Sequence, residues 1–335
     1  MIVTDFYRNN IIKMKAIRIN EFGGEDVMKI QEIECPVPAA DEILVKVYAS
    51  GVNPVDWVVR KGGNEMLRAY LKLPLTLGWD AAGTVEEIGS NVTDFKNGDE
   101  VYGIPNFPGN GSYAEYVAAK ASQFALKPKS ISFNESSSVP LTGVVACMAL
   151  FELGKLQAGQ RILIQGASGG VGYLAVQLAK LKGAYVIGSA STNNQAFLKQ
   201  LGADEVIDYK TQNFEEILQD IDVVLESSPL RDDNERLKNI SVLKNGGIFV
   251  SANVDFPFSD AVKEALSNKD AKGELLYAQT NHRDWLNEMA KFIDEGNLKV
   301  FISKVYPLEQ AGEAHRESET WHVRGKLVLE VRKEK

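Results

Sequence analysis

The sequence predicts an α/β protein in which a strand-rich domain is joined to a doubly wound parallel sheet. Three observations lead to this prediction. The chain has 335 residues, more than one hydrophobic core usually serves. Short strands separated by Gly, Pro, Asn and Asp turns dominate its first part. From about Val139, helices and strands alternate, which is typical of a parallel sheet with helices on both faces.

In the first part, β-rich segments with period-2 alternation indicate the strands of a small barrel or sandwich. Residues 1–13 precede them and lack the continuous apolar run of a signal peptide, so they are interpreted as a leader or a start-site choice. The predicted strands are Lys15 to Ile19, Met28 to Ile33, Glu42 to Tyr48, Ala82 to Ile88, Glu100 to Ile104 and Ala114 to Ala118.

In the second part, the alternation predicts parallel strands at Arg161 to Gln165, Ala184 to Ser189, Glu205 to Ile207, Asp222 to Leu225, Gly247 to Val250 and Leu275 to Ala278. Two helix and strand pairs follow, and these last elements could return to the first domain. They are the helix Trp285 to Glu295, the strand Ile302 to Tyr306, the helix Leu308 to Glu319 and the strand Lys326 to Val331.

The stretch from Arg161 to Lys180 is the most informative, because an apolar strand runs into a glycine turn that opens an amphipathic helix. Gly166 allows the tight turn, Gly169 lets the backbone approach a diphosphate, and Gly172 lets the helix pack on the strand. The helix N-terminus adds free N–H groups and a positive dipole end. We therefore expect a dinucleotide site formed by Gly166, Ala167, Ser168, Gly169, Gly170, Val171 and Gly172.

The next strand favours NADP over NAD. A ribose with a free 2′-hydroxyl usually meets an Asp or Glu about 20 residues after the turn, but the first acid here is Asp204. Ser189, Ser191, Thr192 and Asn194 would instead leave room and hydrogen-bond donors for a 2′-phosphate. No Arg stands at that strand end, although phosphates attract arginines. The alternative is that some of these polar residues only cap the following helix.

Composition excludes several classes of protein. A content of 44% hydrophobic and 24% charged residues is ordinary for a folded soluble protein, and a net charge of −8 without a basic cluster argues against a nucleic-acid partner. No apolar run reaches membrane-spanning length. With only Cys35 and Cys147, a disulfide framework is absent, so the sequence predicts a reducing, cytoplasmic location.

Motifs spread over nearly the whole chain then carry a family resemblance. The order and spacing of Gly51-Val-Asn-Pro-Val-Asp56, Gly78-Trp-Asp-Ala-Ala-Gly83, Gly98-Asp-Glu-Val-Tyr-Gly103, Gly111-Ser-Tyr-Ala-Glu-Tyr-Val117, Val139-Pro-Leu-Thr142, Leu201-Gly-Ala-Asp204 and Val323-Arg-Gly-Lys-Leu-Val-Leu329 are together specific. The chain resembles the medium-chain dehydrogenase/reductase superfamily, in its zinc-independent quinone oxidoreductase (zeta-crystallin-like) branch.

This resemblance implies a fold and a domain organisation. It implies a GroES-like β-barrel catalytic domain from residues 14–138 and 285–335, with a Rossmann NADP-binding domain from residues 139–284 inserted between them. It also implies a homodimer, often formed through the edge of the cofactor-domain sheet. For function, it implies an NADPH-dependent reductase of quinones or other activated small-molecule acceptors.

The expected zinc ligands are missing. Zinc alcohol dehydrogenases that resemble this chain carry a Cys and a His where Asn53 and Trp79 stand, and the region 90–110 lacks their cysteine cluster. The histidines His282, His315 and His322 fall late in the chain and are interpreted as surface residues. We therefore expect no metal site. Without a metal, reduction of a quinone or an α,β-unsaturated carbonyl is easier to support than oxidation of a simple alcohol.

Two residues are candidates for catalysis. The amide of Asn53 could donate to the oxygen on which charge develops or to the cofactor ribose, or it could only stabilise the turn before Pro54. Asp56 could orient the cofactor or neighbouring side chains, with helix capping as the alternative. Arg60 could face a developing enolate, but a surface ion pair is the preferred interpretation. No proton donor is obvious, and solvent could protonate the product.

Aromatic side chains are candidates for the pocket. Trp57 and Trp79 could form flat walls for a ring, with core packing as the alternative. Tyr113 could donate a proton to the substrate, but packing within its strand is favoured. Tyr209 matches a family tyrosine near the 2′-phosphate and is expected to contact it. The acceptor stays open, and two other functions remain: an NADP-binding regulatory or structural protein without turnover, and a zinc-type alcohol dehydrogenase.

Overall fold

Three β-sheets organise the part of the chain that the structure describes. The computed structural model describes residues 12–229, 232–253, 257–277 and 283–334. Within them the strands are β1 (Lys13–Ile19), β2 (Lys29–Glu34), β3 (Glu42–Val52), β4 (Leu75–Thr76), β5 (Ala81–Ile88), β6 (Glu100–Gly103), β7 (Tyr116–Lys120), β8 (Phe124–Leu126), β9 (Arg161–Gln165), β10 (Tyr185–Ala190), β11 (Glu205–Asp208), β12 (Ile221–Glu226), β13 (Leu243–Ser251), β14 (Lys272–Leu275), β15 (Ile302–Pro307) and β16 (Lys326–Glu330).

The second sheet of the chain is parallel, with its described strands in the order β11-β10-β9-β12-β13-β14. Leu163 on the central strand β9 lies beside Ile187 of β10 and Val224 of β12, and all three side chains are fully buried. Apolar runs buried on both faces are what parallel strands require. The strand order reverses on either side of β9, so the carboxyl end of β9 is where such a sheet binds ligands.

The first domain is built around the long strand β3, which pairs with β5, β7 and β16. Its described sheet runs β15-β16-β3-β5-β6-β8, with β7 beside β3. The pairing of Leu327 with Val52 brings the late strand β16 back to the first part of the chain. The first strand β1 lies in a separate sheet between β2 and β4.

Helices cover the parallel sheet and join the two regions. The described α-helices are Pro54–Arg60, Glu65–Arg68, Phe133–Ser137, Pro140–Cys147, Gly170–Leu181, Gln195–Gln200, Phe214–Ile217, Asp233–Ser241, Asp260–Asn268, Arg283–Asp294 and Ala311–Ser318. The turn Met148–Leu153 continues the helix Pro140–Cys147 as a π-helix. No helix among the described residues has both the length and the apolar content needed to cross a membrane.

The predicted fold class is confirmed, with a few shifted elements. The strand expected at Leu275 to Ala278 is β14, which ends at Leu275, and Ala278 lies outside the described residues. Lys13 was assigned to the leader but pairs with Glu34 in β1, and residues 1–11 lie outside the described part. The short strands β4 and β8 were missed. The exact domain boundaries stay a prediction, which the return of β15 and β16 to the sheet of β3 supports.

Candidate functional site

The glycine turn lies between β9 and the helix Gly170–Leu181, at the carboxyl end of the parallel sheet. Gly166 has a φ of 69°, a left-handed conformation that suits glycine. A Cβ on Gly172 would lie 2.3 Å from the carbonyl oxygen of Gly166. Both residues must therefore be glycine for reasons within the protein, as the predicted tight turn and helix packing require.

Gly169 differs from these two. Its φ is −78°, and the nearest protein atom to an added Cβ would be the Gly166 oxygen at 3.4 Å. The fold itself therefore tolerates a side chain at position 169. A glycine here instead leaves space outside the helix N-terminus, where N–H groups without helical partners and the positive dipole end attract a diphosphate. The residues of this turn fit the diphosphate of a dinucleotide.

The polar turn after β10 is tied to the glycine turn. Asn194 donates through Nδ2 to Ser168 Oγ at 3.0 Å and to Ser191 Oγ at 3.4 Å. Three predicted cofactor residues are thereby brought together. Another predicted cofactor residue, Ser189, is 1% exposed, and its hydroxyl has no hydrogen-bond partner among the described residues. Its side chain is not accessible to a ligand in this conformation.

A cavity of about 540 Å³ opens beside this turn. Lys210 contributes to its wall, whereas the neighbouring Tyr209 is not part of the wall and is about half exposed. The contact of Tyr209 with a 2′-phosphate stays a prediction. The cavity is lined by Ser191, Asn193, Asn194, Lys210, Phe301, Ile302, Ser303, His322 and Arg324.

Arg324 is the residue that the sequence did not reveal. An arginine was sought at the end of β10, but it comes instead from the segment before β16, which lies 130 residues after Asn194. Its Nε donates to Asn194 Oδ1 at 2.7 Å, and its Nη2 donates to the carbonyl oxygen of Asn193 at 2.8 Å. The motif containing Arg324 was recognised in the sequence, but its place beside β10 was not.

Asn53 belongs to a buried polar cluster with Asp80 and Lys326. Lys326 Nζ donates to Asn53 Oδ1 at 2.6 Å, and Asn53 Nδ2 donates to Asp80 Oδ2 at 2.8 Å. The Lys326 ammonium and the Asp80 carboxylate are 3.4 Å apart, and burial raises the pKa of Asp80 while it lowers the pKa of Lys326. Asn53 is fully buried, and both the oxygen and the nitrogen of its amide bind within the cluster. In this conformation its side chain therefore serves the cluster and not a ligand.

The same cluster touches the cofactor domain. Asp80 Oδ1 accepts a hydrogen bond from the backbone N–H of Leu141 at 2.7 Å, in the helix Pro140–Cys147. The stem of Lys326 runs past the start of the helix that follows the glycine turn, where a Cβ on Gly170 would lie 3.0 Å from Lys326 Cδ. This cluster therefore fixes the barrel against the end of the sheet where the dinucleotide is expected.

Asp56 is held by two hydrogen bonds to one of its oxygens. Its Oδ2 accepts from the backbone N–H of Asn53 at 2.7 Å and from the Tyr113 hydroxyl at 2.8 Å, while its Oδ1 has no partner among the described residues. Burial raises the pKa of Asp56 to about 7. The bond to Asn53 N lies at the start of the helix Pro54–Arg60, as the capping interpretation expected.

Two surface assignments were wrong. Arg60 is 1% exposed and His315 is fully buried, because the ring of His315 lies between Arg60 and Tyr113. Arg60 also donates to Glu319 at 2.6 Å, so its ion pair is largely buried rather than on the surface. His322 is exposed as expected, and His282 lies outside the described residues.

The aromatic candidates are mostly enclosed. Trp79 and Tyr113 are fully buried, and Trp79 donates through Nε1 to the carbonyl oxygen of Gly109 at 3.0 Å. Trp57 is 9% exposed, donates to Ser318 Oγ at 3.2 Å and meets the ring of Trp321 edge-on. In this conformation, packing accounts for Trp79 and Tyr113, and their role as substrate walls stays a prediction.

The donor set does not fit zinc. Asn53 and Trp79, at the positions of the expected ligands, use their side chains for the internal hydrogen bonds given above. Across residues 12–229, 232–253, 257–277 and 283–334, no group of three or more His, Cys, Asp or Glu side chains could hold a metal ion.

Comparison with known proteins agrees with this geometry. Residues 39–129 match the model of the alcohol dehydrogenase GroES-like domain, and residues 201–329 match the model of a zinc-binding dehydrogenase. The expected GroES-like and Rossmann domain types are thereby confirmed.

Individual relatives cover almost the entire chain. A quinone oxidoreductase of Sus scrofa is 34% identical over 333 residues, which cover 94% of this chain and 97% of that protein. A chloroplastic NADPH-dependent alkenal/one oxidoreductase of Arabidopsis thaliana is 34% identical over 95% of this chain and 79% of its own. The structure of the quinone oxidoreductase from Coxiella burnetii matches with a TM-score of 0.88 at 36% identity, over 96% of this chain and 100% of that one. The chain therefore belongs to the quinone oxidoreductase branch of the medium-chain dehydrogenase/reductase superfamily.

Proposed function

We propose that this protein is an NADPH-dependent, zinc-independent reductase that transfers hydride to a quinone or an α,β-unsaturated carbonyl. The observation that carries the cofactor is the glycine turn, where Gly169 leaves space that the protein itself does not need. The printed names of the relatives support the acceptor class, since they include quinone oxidoreductases and an NADPH-dependent alkenal/one oxidoreductase.

The cofactor would be held at the carboxyl end of the parallel sheet. Backbone N–H groups of the glycine turn would face its diphosphate, and Ser191 and Asn194 would lie beside its adenosine ribose. When bound, NADPH supplies the hydride. The chain's own contribution is to bind and orient the two reactants and to keep water from the space between them.

Asn53 and Asp56 are proposed as positioning residues for this arrangement. Asn53 is fully buried and bridges Lys326 to Asp80, and Asp56 holds the backbone N–H of Asn53. Together they fix the start of the helix Pro54–Arg60 relative to Asp80, whose carboxylate accepts the hydrogen bond from the backbone N–H of Leu141. The Tyr113 hydroxyl donates to Asp56 and is fully buried, so we propose that solvent rather than Tyr113 protonates the product.

The test is oxidation of NADPH and NADH by the purified, chelator-treated protein with a panel of quinones, enals, enones and simple ketones. We expect NADPH-selective turnover of quinones or enones and no gain on adding zinc. Activity that needs restored zinc would show a zinc-type alcohol dehydrogenase instead. Tight NADPH binding without turnover of any acceptor would show a binding or regulatory protein. Gel filtration with light scattering would test the expected homodimer.

A further inference from the structure

The cavity beside β10 is basic. Among the residues that line it, Lys210 and Arg324 carry positive charge, His322 adds an imidazole, and none is Asp or Glu. The chain as a whole has a net charge of −8, so this is a local feature and not part of a generally basic surface. A cavity with two cations and no lining carboxylate favours an anionic group.

Asp208 contacts Lys210 of the cavity wall, and its carboxylate is already engaged. Asp208 ends β11, and its two oxygens accept hydrogen bonds from the Thr192 hydroxyl and from the backbone N–H of Lys210. Its side chain is 9% exposed, and the hydrogen bond from Thr192 holds its pKa below the usual value. Asp208 therefore holds the polar turn to β11, and its charge also interacts with that of Lys210, so Arg324 is the stronger candidate for an anionic ligand.

Contacts within the protein position the guanidinium of Arg324 but engage only some of its N–H donors. Its guanidinium binds the side chain of Asn194 and the carbonyl oxygen of Asn193, and it lies 5.3 Å from the ring centre of Phe197. These contacts use only part of its N–H donors. The planar fork of an arginine binds phosphate oxygens through paired hydrogen bonds, which a lysine cannot do.

The segment carrying Arg324 is anchored to the glycine turn. The backbone N–H of Gly325 donates to the carbonyl oxygen of Ser168 at 2.9 Å, and the hydroxyl of Ser168 accepts from Asn194. The segment that carries Arg324 is thus hydrogen-bonded directly to the turn where the diphosphate is expected. Ser191, at the ribose end of β10, lines the same cavity.

We propose that Arg324, assisted by Lys210, binds the 2′-phosphate of NADPH and sets the preference for NADPH over NADH. This inference rests on the proposed function for the cofactor and extends it to the residue that selects between the two nucleotides. Arg324 comes from the segment that leads into β16, whereas Lys210 and the ribose and diphosphate contacts come from the region of the parallel sheet.

Calorimetric titration with 2′,5′-ADP and 5′-AMP tests this without any turnover. The wild-type protein should bind 2′,5′-ADP more tightly. Arg324→Gln should weaken 2′,5′-ADP binding by at least about tenfold, the effect of losing hydrogen bonds to a charged group, and change 5′-AMP binding by less than about twofold. Lys210→Gln should act in the same direction with a smaller effect. Arg324→Lys, which keeps the charge but not the fork, should fall in between.

Arg316→Gln is the matched control, because Arg316 is an exposed arginine of the same late segment that pairs with Glu25 and does not line the cavity. Its nucleotide binding should equal that of the wild type. If Arg324→Gln keeps the full preference for 2′,5′-ADP, the role of Arg324 is wrong and the proposed function stands. If the wild type binds both nucleotides equally, the NADPH preference itself is wrong. If it binds neither nucleotide, the cofactor assignment fails.

Discussion

The guanidinium of Arg60 contacts Nδ1 of His315, with Nη1 3.2 Å away. Because a guanidinium has only donors, this nitrogen must accept, and the ring proton lies on Nε2, 3.1 Å from the Tyr113 hydroxyl oxygen. Tyr113 then donates to Asp56. Burial, with a further contribution from Arg60, lowers the pKa of His315 to about 3. The result is a directional row of donors that runs from Arg60 to Asp56 and keeps His315 neutral.

Asp56 and His315 make opposite contributions to stability in acid. The pKa of His315 falls from 6.5 to about 3 on folding, so between these pH values its imidazole is protonated only in the unfolded chain. Its contribution is present above pH 6.5 and is lost as the pH falls. The pKa of Asp56 rises from 3.8 to about 7, so the folded chain holds an extra proton between these values. Its contribution is present below pH 3.8 and is lost as the pH rises through 7.

Between about pH 4 and 6.5, we therefore expect the pH dependences of these two contributions to the free energy of unfolding to cancel in the wild type. Asp56→Asn removes one of them, and its free energy of unfolding should fall relative to wild type by up to ~1.4 kcal/mol per pH unit as the pH drops. His315→Gln should show the reverse trend. Urea unfolding at pH 4, 5, 6 and 7 measures both. Equal pH slopes in the two variants would contradict this account of the pKa shifts.

Substitutions in the glycine turn separate ligand binding from stability. Gly169→Ala meets no protein atom closer than 3.4 Å, so it should change the free energy of unfolding by less than about 1 kcal/mol while it weakens NADPH binding. Gly172→Ala puts a Cβ 2.3 Å from a backbone oxygen and should destabilise the fold itself. Thermal unfolding and nucleotide titration on both variants check this. Unchanged NADPH affinity in Gly169→Ala would place the diphosphate elsewhere.

The Asp80 and Lys326 pair should be strongly coupled. Removing one partner by Asp80→Asn or Lys326→Met leaves a buried group without its counterpart and should cost about 3–5 kcal/mol of unfolding free energy. The double variant should lose less than the sum of the single losses. Lys263→Met, which breaks the exposed pair with Asp260, is the control and should cost less than about 1 kcal/mol. Additive losses in the double variant would show that the two side chains do not interact.

Trp57 offers a test of the pocket. Trp57→Phe removes the hydrogen bond to Ser318 and keeps an aromatic ring, so it should change the free energy of unfolding by about 1 kcal/mol. If Trp57 also lines the acceptor site, the KM for a quinone should rise while the affinity for NADPH stays constant. Steady-state kinetics with both substrates varied would show this. A KM equal to that of the wild type would leave Trp57 with packing alone.

Local sequence patterns made the fold predictable, but they did not reveal the parts of the site that depend on contacts between distant residues. The strand, glycine turn and helix around Gly166 are contiguous in sequence, so their spacing alone indicated their geometry. Arg324 meets Asn194 across 130 residues, and Arg60 meets His315 across 255, so no local pattern places them together. The surface assignment of Arg60 and His315 followed from the usual exposure of such residues, which fails when a distant partner satisfies them.

The pairing of β3 with β16 has a consequence for how the molecule is made. On the ribosome, β3 emerges early, and its end from Ala49 to Val52 lacks its β16 partner until that late strand has been synthesised. Arg324 arrives only then, on the segment that leads into β16. A nascent chain can complete its parallel sheet first, but the cavity beside β10 gains Arg324 only when β16 pairs with β3.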